Sequence, residues 1–287
     1  GVEAAASSGG ALMPPIMGAG AYMMLEIVTP PVTYLEIIKA ALIPALLYYL
    51  TLLLVVHLYA RKQGIRESGD NEGPVEKLSW AQGGLFMLAM ATLIVFLVLG
   101  FTPFRAVTLS LGSILLVAPW SPSTRLNRQK VMAALSRAAH AGLPLIAAAS
   151  CVGVILGIVT LTGIGSRLPA TILPLAQDNQ LAALFLLMVS TIILGMGLPS
   201  AVCYLLMATL VGPVLTKLGL VPLAAHLFIF YFGMMSMVTP PVALAGYTAA
   251  AIAQADIMRT SLTAFRLALV GFLLPYAFVL NPSLLLL

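Results

Sequence analysis

Two pairs of adjacent prolines lie inside apolar stretches that are otherwise suited to crossing a membrane. Pro14 and Pro15 lie within residues 1–24, and Pro240 and Pro241 lie within residues 222–255. A proline in a helix interior removes a backbone donor and clashes with the preceding turn, at a cost of roughly 3 kcal/mol. In lipid the freed carbonyls find no water to bond. Each pair therefore predicts a discontinuous helix, and unwound backbone at membrane depth is typical of an ion or solute site.

The composition places the chain among membrane proteins. It is 61% hydrophobic and 8% charged with a mean hydropathy of +1.07, whereas soluble domains carry about 25% charged residues. The fold class predicted is therefore an all-α polytopic membrane protein. The net charge of +5 comes from clustered basic loops, so we expect no nucleic-acid partner. Cys151 and Cys203 lie in apolar runs and predict buried hydrophobes rather than a disulfide or metal pair.

Catalytic motifs are missing from the sequence. It contains no nucleophile–base pairing, no HExxH, no P-loop and no CxxC. We therefore expect no enzyme, no catalytic residue and no cofactor, and if the chain moves a solute, an ion gradient or a partner must drive it.

Five apolar segments are long enough to span the bilayer, which takes about 20 residues each. They are residues 35–59, 80–99, 103–119, 139–162 and 262–281. Residues 181–216 are also apolar, but Gly195–Ser200 interrupts them with a Gly-Pro-Ser cluster. Each arm is short for a full span, so this region predicts a re-entrant hairpin with its tip inside the membrane.

Loop charges orient these elements. The basic residues of segments 60–78 and 121–138, together with Arg259 and Arg266, predict cytoplasmic loops by the positive-inside rule. With that orientation the two broken helices cross the membrane in opposite senses, as in an inverted repeat. The predicted organisation has the end of the first repeat in 1–59, loops and connecting or scaffold spans in 60–138, and the second repeat in 139–287.

The residues near the breaks can provide oxygen ligands. A broken helix exposes carbonyls suited to a cation at one half and N–H groups suited to a carboxylate at the other. Hydroxyl residues and glycines cluster at both breaks and at the hairpin tip: Ser7, Ser8, Gly9, Gly10, Ser236, Thr239, Gly195, Gly197 and Ser200. The alternative is that proline and glycine only kink these helices for packing.

Glu3 is the one acid in the first broken helix. An ionisable group at membrane depth is a functional hypothesis by default, here a cation ligand or a proton carrier that couples the ion. The alternative is that Glu3 lies near the cytoplasmic end and is solvated.

Several long motifs resemble the large permease subunit of tripartite ATP-independent periplasmic (TRAP) transporters, and most closely the fused permeases of the TAXI branch. They are Glu3–Gly18, Gly195–Ser200, Ala225–Gly233, Val238–Ala245 and Met258–Thr260. The resemblance covers essentially the whole chain. It implies an inverted-repeat, elevator-type importer of an organic anion, generally a carboxylate, coupled to Na⁺ or to H⁺. It also implies a multi-pass protein of the bacterial or archaeal cytoplasmic (inner) membrane.

The resemblance assigns site residues by motif position. One cation site would include Ser7, Ser8, Gly9, Gly10 and Pro14, and the other Gly195, Gly197, Val238, Thr239 and Pro240. The solute would lie between the breaks, against Pro15, Gly18, Pro199, Ser200 and Pro241. One departure concerns the hairpin: related permeases often continue Thr-Thr-Ala-Asn where this chain has Ser200–Cys203, which changes the polar contacts available to a substrate.

The resemblance also implies partners. A periplasmic TAXI-type solute-binding protein would deliver the solute, and a small membrane subunit would be fused upstream. We expect the chain to be the C-terminal part of a longer protein, with the first re-entrant hairpin preceding residue 1.

Two other functions compete with this prediction. A receptor-independent anion:sodium symporter would share the inverted-repeat elevator plan, and transport without any receptor would favour it. A non-transporting membrane scaffold or assembly subunit would use the breaks only for packing. Uptake that survives simultaneous replacement of Thr239 and Gly197 would favour breaks that serve only for packing.

Overall fold

In the computed structural model of the chain, residues 1–64, 80–120, 124–163, 174, 179–198 and 200–287 are described. Every regular element in these ranges is a helix. The chain divides into two compact units. The larger contains Gly1–Arg61 and Leu145–Leu287, and the smaller contains Lys62–Pro144.

The larger unit contains most of the helices. Its first half has α1 (Val2–Gly10), α2 (Gly18–Ile27) and α3 (Tyr34–Gln63), which ends within the smaller unit. Its second half has α7 (Gln180–Gly195), α8 (Ser200–Leu210), α9 (Gly212–Lys217), α10 (Pro222–Met235), α11 (Leu244–Ala253), α12 (Ile257–Leu267) and α13 (Val270–Leu280). Short 3₁₀ turns follow α10 at Ser236–Val238 and α13 at Pro282–Leu285.

The smaller unit is built on a pair of apolar helices. Helix α4 (Trp80–Val98) packs against α5 (Pro103–Val117), which continues into a 3₁₀ turn at Ala118–Trp120. The Ser110 hydroxyl joins them by donating to the Ala89 carbonyl at 2.7 Å. Helix α6 (Arg128–Thr162) begins in this unit and ends in the larger one.

Four of the described helical segments are long and apolar enough to cross a membrane. They are Tyr34–Gln63, Trp80–Val98, Pro103–Trp120 and Ile257–Leu280. The spans predicted at 35–59, 80–99 and 103–119 are confirmed as α3, α4 and α5, and the segment predicted at 139–162 lies within the continuous helix α6. Together with the all-helical content, these segments confirm an all-α polytopic membrane protein.

The last predicted span, 262–281, differs from the structure at its start and in its middle. It begins earlier because Asp256 caps α12 by accepting a hydrogen bond from the Arg259 N–H at 2.8 Å. It is also divided between α12 and α13, where the Gly271 N–H donates to the Ala268 carbonyl at 2.8 Å in a tight turn. The Phe272 N–H likewise donates to the Leu269 carbonyl three residues earlier, at 3.0 Å.

Helix α10 forms the core of the larger unit. Apart from Pro222 all of its residues are buried, and it packs against α7, α8 and α13. A helix that is apolar on every side is suited to this central position. Its Phe228 and Phe232 rings lie 4.7 Å apart, and both meet Tyr276 of α13 edge-on, at 5.7 and 5.8 Å. The two arms of the 181–216 segment, α7 and α8, pack against each other and against this core.

Candidate functional site

Both proline pairs interrupt their helices. The first lies between the end of α1 at Gly10 and the start of α2 at Gly18. The second lies between the 3₁₀ turn Ser236–Val238 and the start of α11 at Leu244. In each pair the Pro–Pro peptide bond is cis. The discontinuous helices predicted from the sequence are therefore present at both positions.

The two breaks share one backbone pattern. Met13 and Thr239 each directly precede a proline pair. The Met13 N–H donates to the Gly10 carbonyl at 3.3 Å, and the Thr239 N–H donates to the Ser236 carbonyl at 3.2 Å. The Met13 carbonyl accepts from the Met17 N–H at 3.3 Å, and the Thr239 carbonyl accepts from the Ala243 N–H at 3.1 Å. Met17 and Ala243 both have left-handed backbone, and each directly precedes a helix of 10 residues. The breaks are thus structural counterparts as well as sequence counterparts.

Two serine hydroxyls lie in the arm that leads to the first break. Ser8 is buried and donates its hydroxyl to the Ala4 carbonyl at 2.8 Å, and exposed Ser7 donates to the same carbonyl at 3.3 Å. Each hydroxyl uses its proton in this bond and keeps its lone pairs. These oxygens can therefore still serve as ligands for a cation.

The second break repeats this arrangement with its own hydroxyls. Buried Ser236 donates to the Gly233 carbonyl at 2.6 Å, and half-buried Thr239 donates to the Met235 carbonyl at 2.7 Å. Thr239 therefore presents its hydroxyl lone pairs beside Pro240, while its own N–H is bonded within the turn.

The helix ends at each break carry opposite partial charges. Helix α1 ends at Gly10 and the 3₁₀ turn ends at Val238, so these sides present carbonyl oxygens. Helices α2 and α11 start at Gly18 and Leu244, so these sides present N–H groups and the positive end of a helix dipole. Together the breaks can hold a cation on one side and an anion on the other.

The hairpin tip meets the second break. A Cβ on buried Gly195 would lie 2.6 Å from the Cys203 sulfur and 3.0 Å from the Ser236 hydroxyl. Gly197 has a φ of +80°, and its Cβ position lies 3.9 Å from the Val242 side chain. Small residues therefore let the tip approach the broken backbone closely.

The structure also brings the two breaks together through α1. This helix packs against the 3₁₀ turn Ser236–Val238 and against α11. Of the remaining predicted site residues, Pro14, Pro15, Gly18, Ser200 and Pro240 are half-buried and Pro241 is exposed. Pro199 lies outside the described residues.

Glu3 lies apart from these oxygens. It is exposed in the first turn of α1, about 10 Å along the helix from the break at the usual helical rise. Among the described residues no three His, Cys, Asp or Glu side chains converge to hold a metal. The oxygens that the described residues place at the two breaks are carbonyls and hydroxyls.

Sequence reasoning missed three tyrosines that contact the first broken helix. Tyr48 and Tyr49 of α3 donate their hydroxyls to the Ala5 and Ala6 carbonyls, and Tyr34 donates to the break itself. The available signal was the position of Tyr48 and Tyr49 in the middle of an apolar span, away from the interfacial belt where tyrosine is common.

A family model described as the DctM component of the tripartite ATP-independent periplasmic transporter matches residues 1–287. No curated protein matches the chain. The match extends over both broken helices, the hairpin and the spans between them. The chain therefore belongs to the DctM family, the large permease component of TRAP transporters.

Proposed function

We propose that this permease imports an organic anion, generally a carboxylate, and that a Na⁺ gradient drives the import, with H⁺ as the alternative ion. A periplasmic receptor of the TAXI type delivers the solute, and a small membrane subunit is fused upstream of the chain. The protein works in the cytoplasmic membrane of a bacterium or archaeon, where an elevator movement carries the breaks and the hairpin across.

The observation that carries this proposal is the matching geometry of the two breaks. Each offers carbonyls and hydroxyl oxygens without any formal charge, and Na⁺ takes such hard oxygen ligands in discontinuous helices. The first cation site comprises Ser7, Ser8, Gly9, Gly10 and Pro14. The second comprises Gly195, Gly197, Val238, Thr239 and Pro240.

The solute carboxylate lies between the breaks, at the positive ends of α2 and α11. Pro15, Gly18, Pro199, Ser200 and Pro241 contact it there. Bound cations offset the negative charge of the carboxylate and the carbonyl dipoles around it. Solute and cation therefore favour each other's binding, which is the basis of coupled transport.

The test is uptake by the full-length permease in proteoliposomes. Radiolabelled carboxylates are supplied with the candidate receptor, and an inward Na⁺ gradient is compared with equal K⁺ and with a proton gradient. We expect uptake to require both the receptor and the Na⁺ gradient.

Three results would count against parts of this proposal. Uptake without a receptor would favour the anion:sodium symporter, and uptake driven only by protons would replace Na⁺ with H⁺. No gradient-driven uptake of any carboxylate in a well-folded preparation would favour a non-transporting scaffold.

A further inference from the structure

Two neighbouring tyrosines of α3 donate hydrogen bonds from their hydroxyls to backbone carbonyls of α1. Tyr48 donates to the Ala5 carbonyl at 2.8 Å, and Tyr49 donates to the Ala6 carbonyl at 3.0 Å. The two rings stack edge to face with centroids 5.5 Å apart. Two consecutive carbonyls of one helix are therefore held by two consecutive residues of another.

A third tyrosine of α3 reaches the break itself. Tyr34 is buried, and its hydroxyl is shared between the carbonyls of Pro15 at 3.0 Å and Ile16 at 3.1 Å. These carbonyls belong to the second proline of the pair and to the residue after it, where the chain is not helical. The same helix thus holds both the arm before the break and the backbone after the prolines.

Gly9 shows how closely α1 lies against this helix. The Tyr48 ring is fully buried, and any Cβ at Gly9 would overlap that ring and lie 3.2 Å from the Tyr49 ring. The tyrosine rings therefore occupy the space that a side chain at Gly9 would need. They fix the distance between α1 and α3 as well as the hydrogen bonds between them.

The tyrosines also determine which carbonyls remain available. A carbonyl oxygen has two lone pairs, and in an α-helix those of Ala5 and Ala6 accept from the N–H groups four residues on. The hydroxyls of Tyr48 and Tyr49 take up the remaining capacity. A cation at the first break must then bind oxygens further along α1, on the side of Ser7, Ser8 and Gly10.

The second break differs in its contacts with α3. Both breaks have hydroxyls of their own that donate to a preceding turn, Ser7 and Ser8 at the first and Ser236 and Thr239 at the second. Among the described residues, the hydroxyl donors from α3 bond to the first broken helix and not to the second break. Changes in α3 should accordingly affect one site and not the other.

We propose that Tyr34, Tyr48 and Tyr49 are positioning residues for the first cation site. They hold the end of α1 and the Pro15–Ile16 backbone in the geometry that binds the ion, and they do not contact the ion themselves. This inference rests on the proposed function, because it assumes that a cation binds at the first break.

The test is a titration of the full-length permease with NaCl against KCl at constant ionic strength, without solute. Na⁺ binding is followed by calorimetry and by the rise in the thermal unfolding midpoint. Tyr34→Phe, Tyr48→Phe and Tyr49→Phe each remove one hydroxyl donor. We expect each substitution to weaken Na⁺ binding at the first cation site by roughly two- to tenfold, because one hydrogen bond that holds the site is lost.

Tyr59→Phe is the matched control, because Tyr59 lies on the same helix and is 49% exposed. It should leave Na⁺ binding unchanged. Tyr49 is only half-buried, so Tyr49→Phe still tests the proposal if the fully buried Tyr48 proves essential for folding.

The outcomes separate this inference from the proposed function. Wild-type protein that shows no Na⁺ response contradicts the Na⁺ site, and this inference falls with it. Wild-type protein that binds Na⁺, with tyrosine variants that are less stable in KCl but have unchanged Na⁺ affinity, assigns these tyrosines a structural role only. That result overturns the inference and leaves the proposed function intact.

Discussion

Met17 and Ala243 occupy equivalent positions in the two broken helices, and both have left-handed backbone, with φ values of +46° and +34°. Each is fully buried and directly precedes the second arm of its helix. Left-handed backbone is uncommon for residues other than glycine and costs roughly 1–2 kcal/mol. Its occurrence at two residues other than glycine indicates that the packing around the break offsets this cost.

This geometry predicts how Ala243 responds to substitution. Ala243→Gly should change the free energy of unfolding by no more than about 1 kcal/mol, because glycine accepts the backbone but loses a buried methyl group. Ala243→Val should destabilise by about 2 kcal/mol or more, since a β-branched side chain suits neither the φ nor the buried space. Thermal unfolding in detergent measures both, with Ala245→Val inside α11 as the control. Equal stability of the Ala243→Val and Ala245→Val proteins would be inconsistent with the left-handed backbone.

Two buried tyrosines in the core should respond in opposite directions to the loss of a hydroxyl. Tyr204 bonds His226 Nδ1 at 2.8 Å and joins α8 to α10. Tyr204→Phe leaves that nitrogen unpaired and should destabilise by about 1–3 kcal/mol. The Tyr231 hydroxyl is buried without a hydrogen-bond partner among the described residues. Tyr231→Phe removes an unpaired polar group and should be neutral or stabilising by about 1 kcal/mol.

Thermal unfolding of the two variants measured in parallel checks this prediction, because both replace a buried tyrosine with phenylalanine. A loss of stability in Tyr231→Phe similar to that in Tyr204→Phe would show that the Tyr231 hydroxyl has a partner.

Two glycines at equivalent positions of the second arms should differ in their tolerance of a methyl group. A Cβ on Gly246 would overlap the Ser261 hydroxyl and lie 2.9 Å from the Ser261 Cα, which is backbone. A Cβ on Gly20 would lie 2.5 Å from the Phe230 ring edge, which belongs to a side chain rather than to the backbone. Gly246→Ala should therefore cost about 1–3 kcal/mol, and Gly20→Ala less.

Gly84→Ala provides the reference for this pair, because nothing lies within 4 Å of its Cβ position in α4. It should stabilise by up to about 1 kcal/mol through helix propensity alone. The prediction fails if Gly20→Ala is the more damaging of the two substitutions.

Local chemistry made much of the fold predictable from the sequence. Proline disrupts a helix wherever it lies in the interior, so Pro14 and Pro240 marked the breaks without any tertiary information. The apolar run from residue 35 to 59 likewise indicated α3, because length and hydropathy decide whether a helix can span the bilayer.

Features that depend on packing were not predictable in this way. The left-handed backbone at Met17 and Ala243 occurs at residue types that do not favour it. The bonds from Tyr48 and Tyr49 join residues far apart in sequence, and no local pattern specifies them. The division of the last span near Ala268 is a tight turn between two apolar helices, and length and hydropathy alone do not predict such a turn.

The central claim is that the two breaks bind the coupling cation, and removal of the Thr239 hydroxyl tests it most directly. The measurement is the Na⁺ dependence of carboxylate uptake by the full-length permease and its receptor in proteoliposomes. Thr239→Val, alone and combined with Gly197→Ala, should raise the Na⁺ concentration for half-maximal uptake by roughly ten- to hundredfold, because a ligand to a charge is lost. Thr239→Ser keeps the hydroxyl and should stay close to wild type. Unchanged Na⁺-dependent uptake in the combined variant would contradict the claim and assign the breaks to packing.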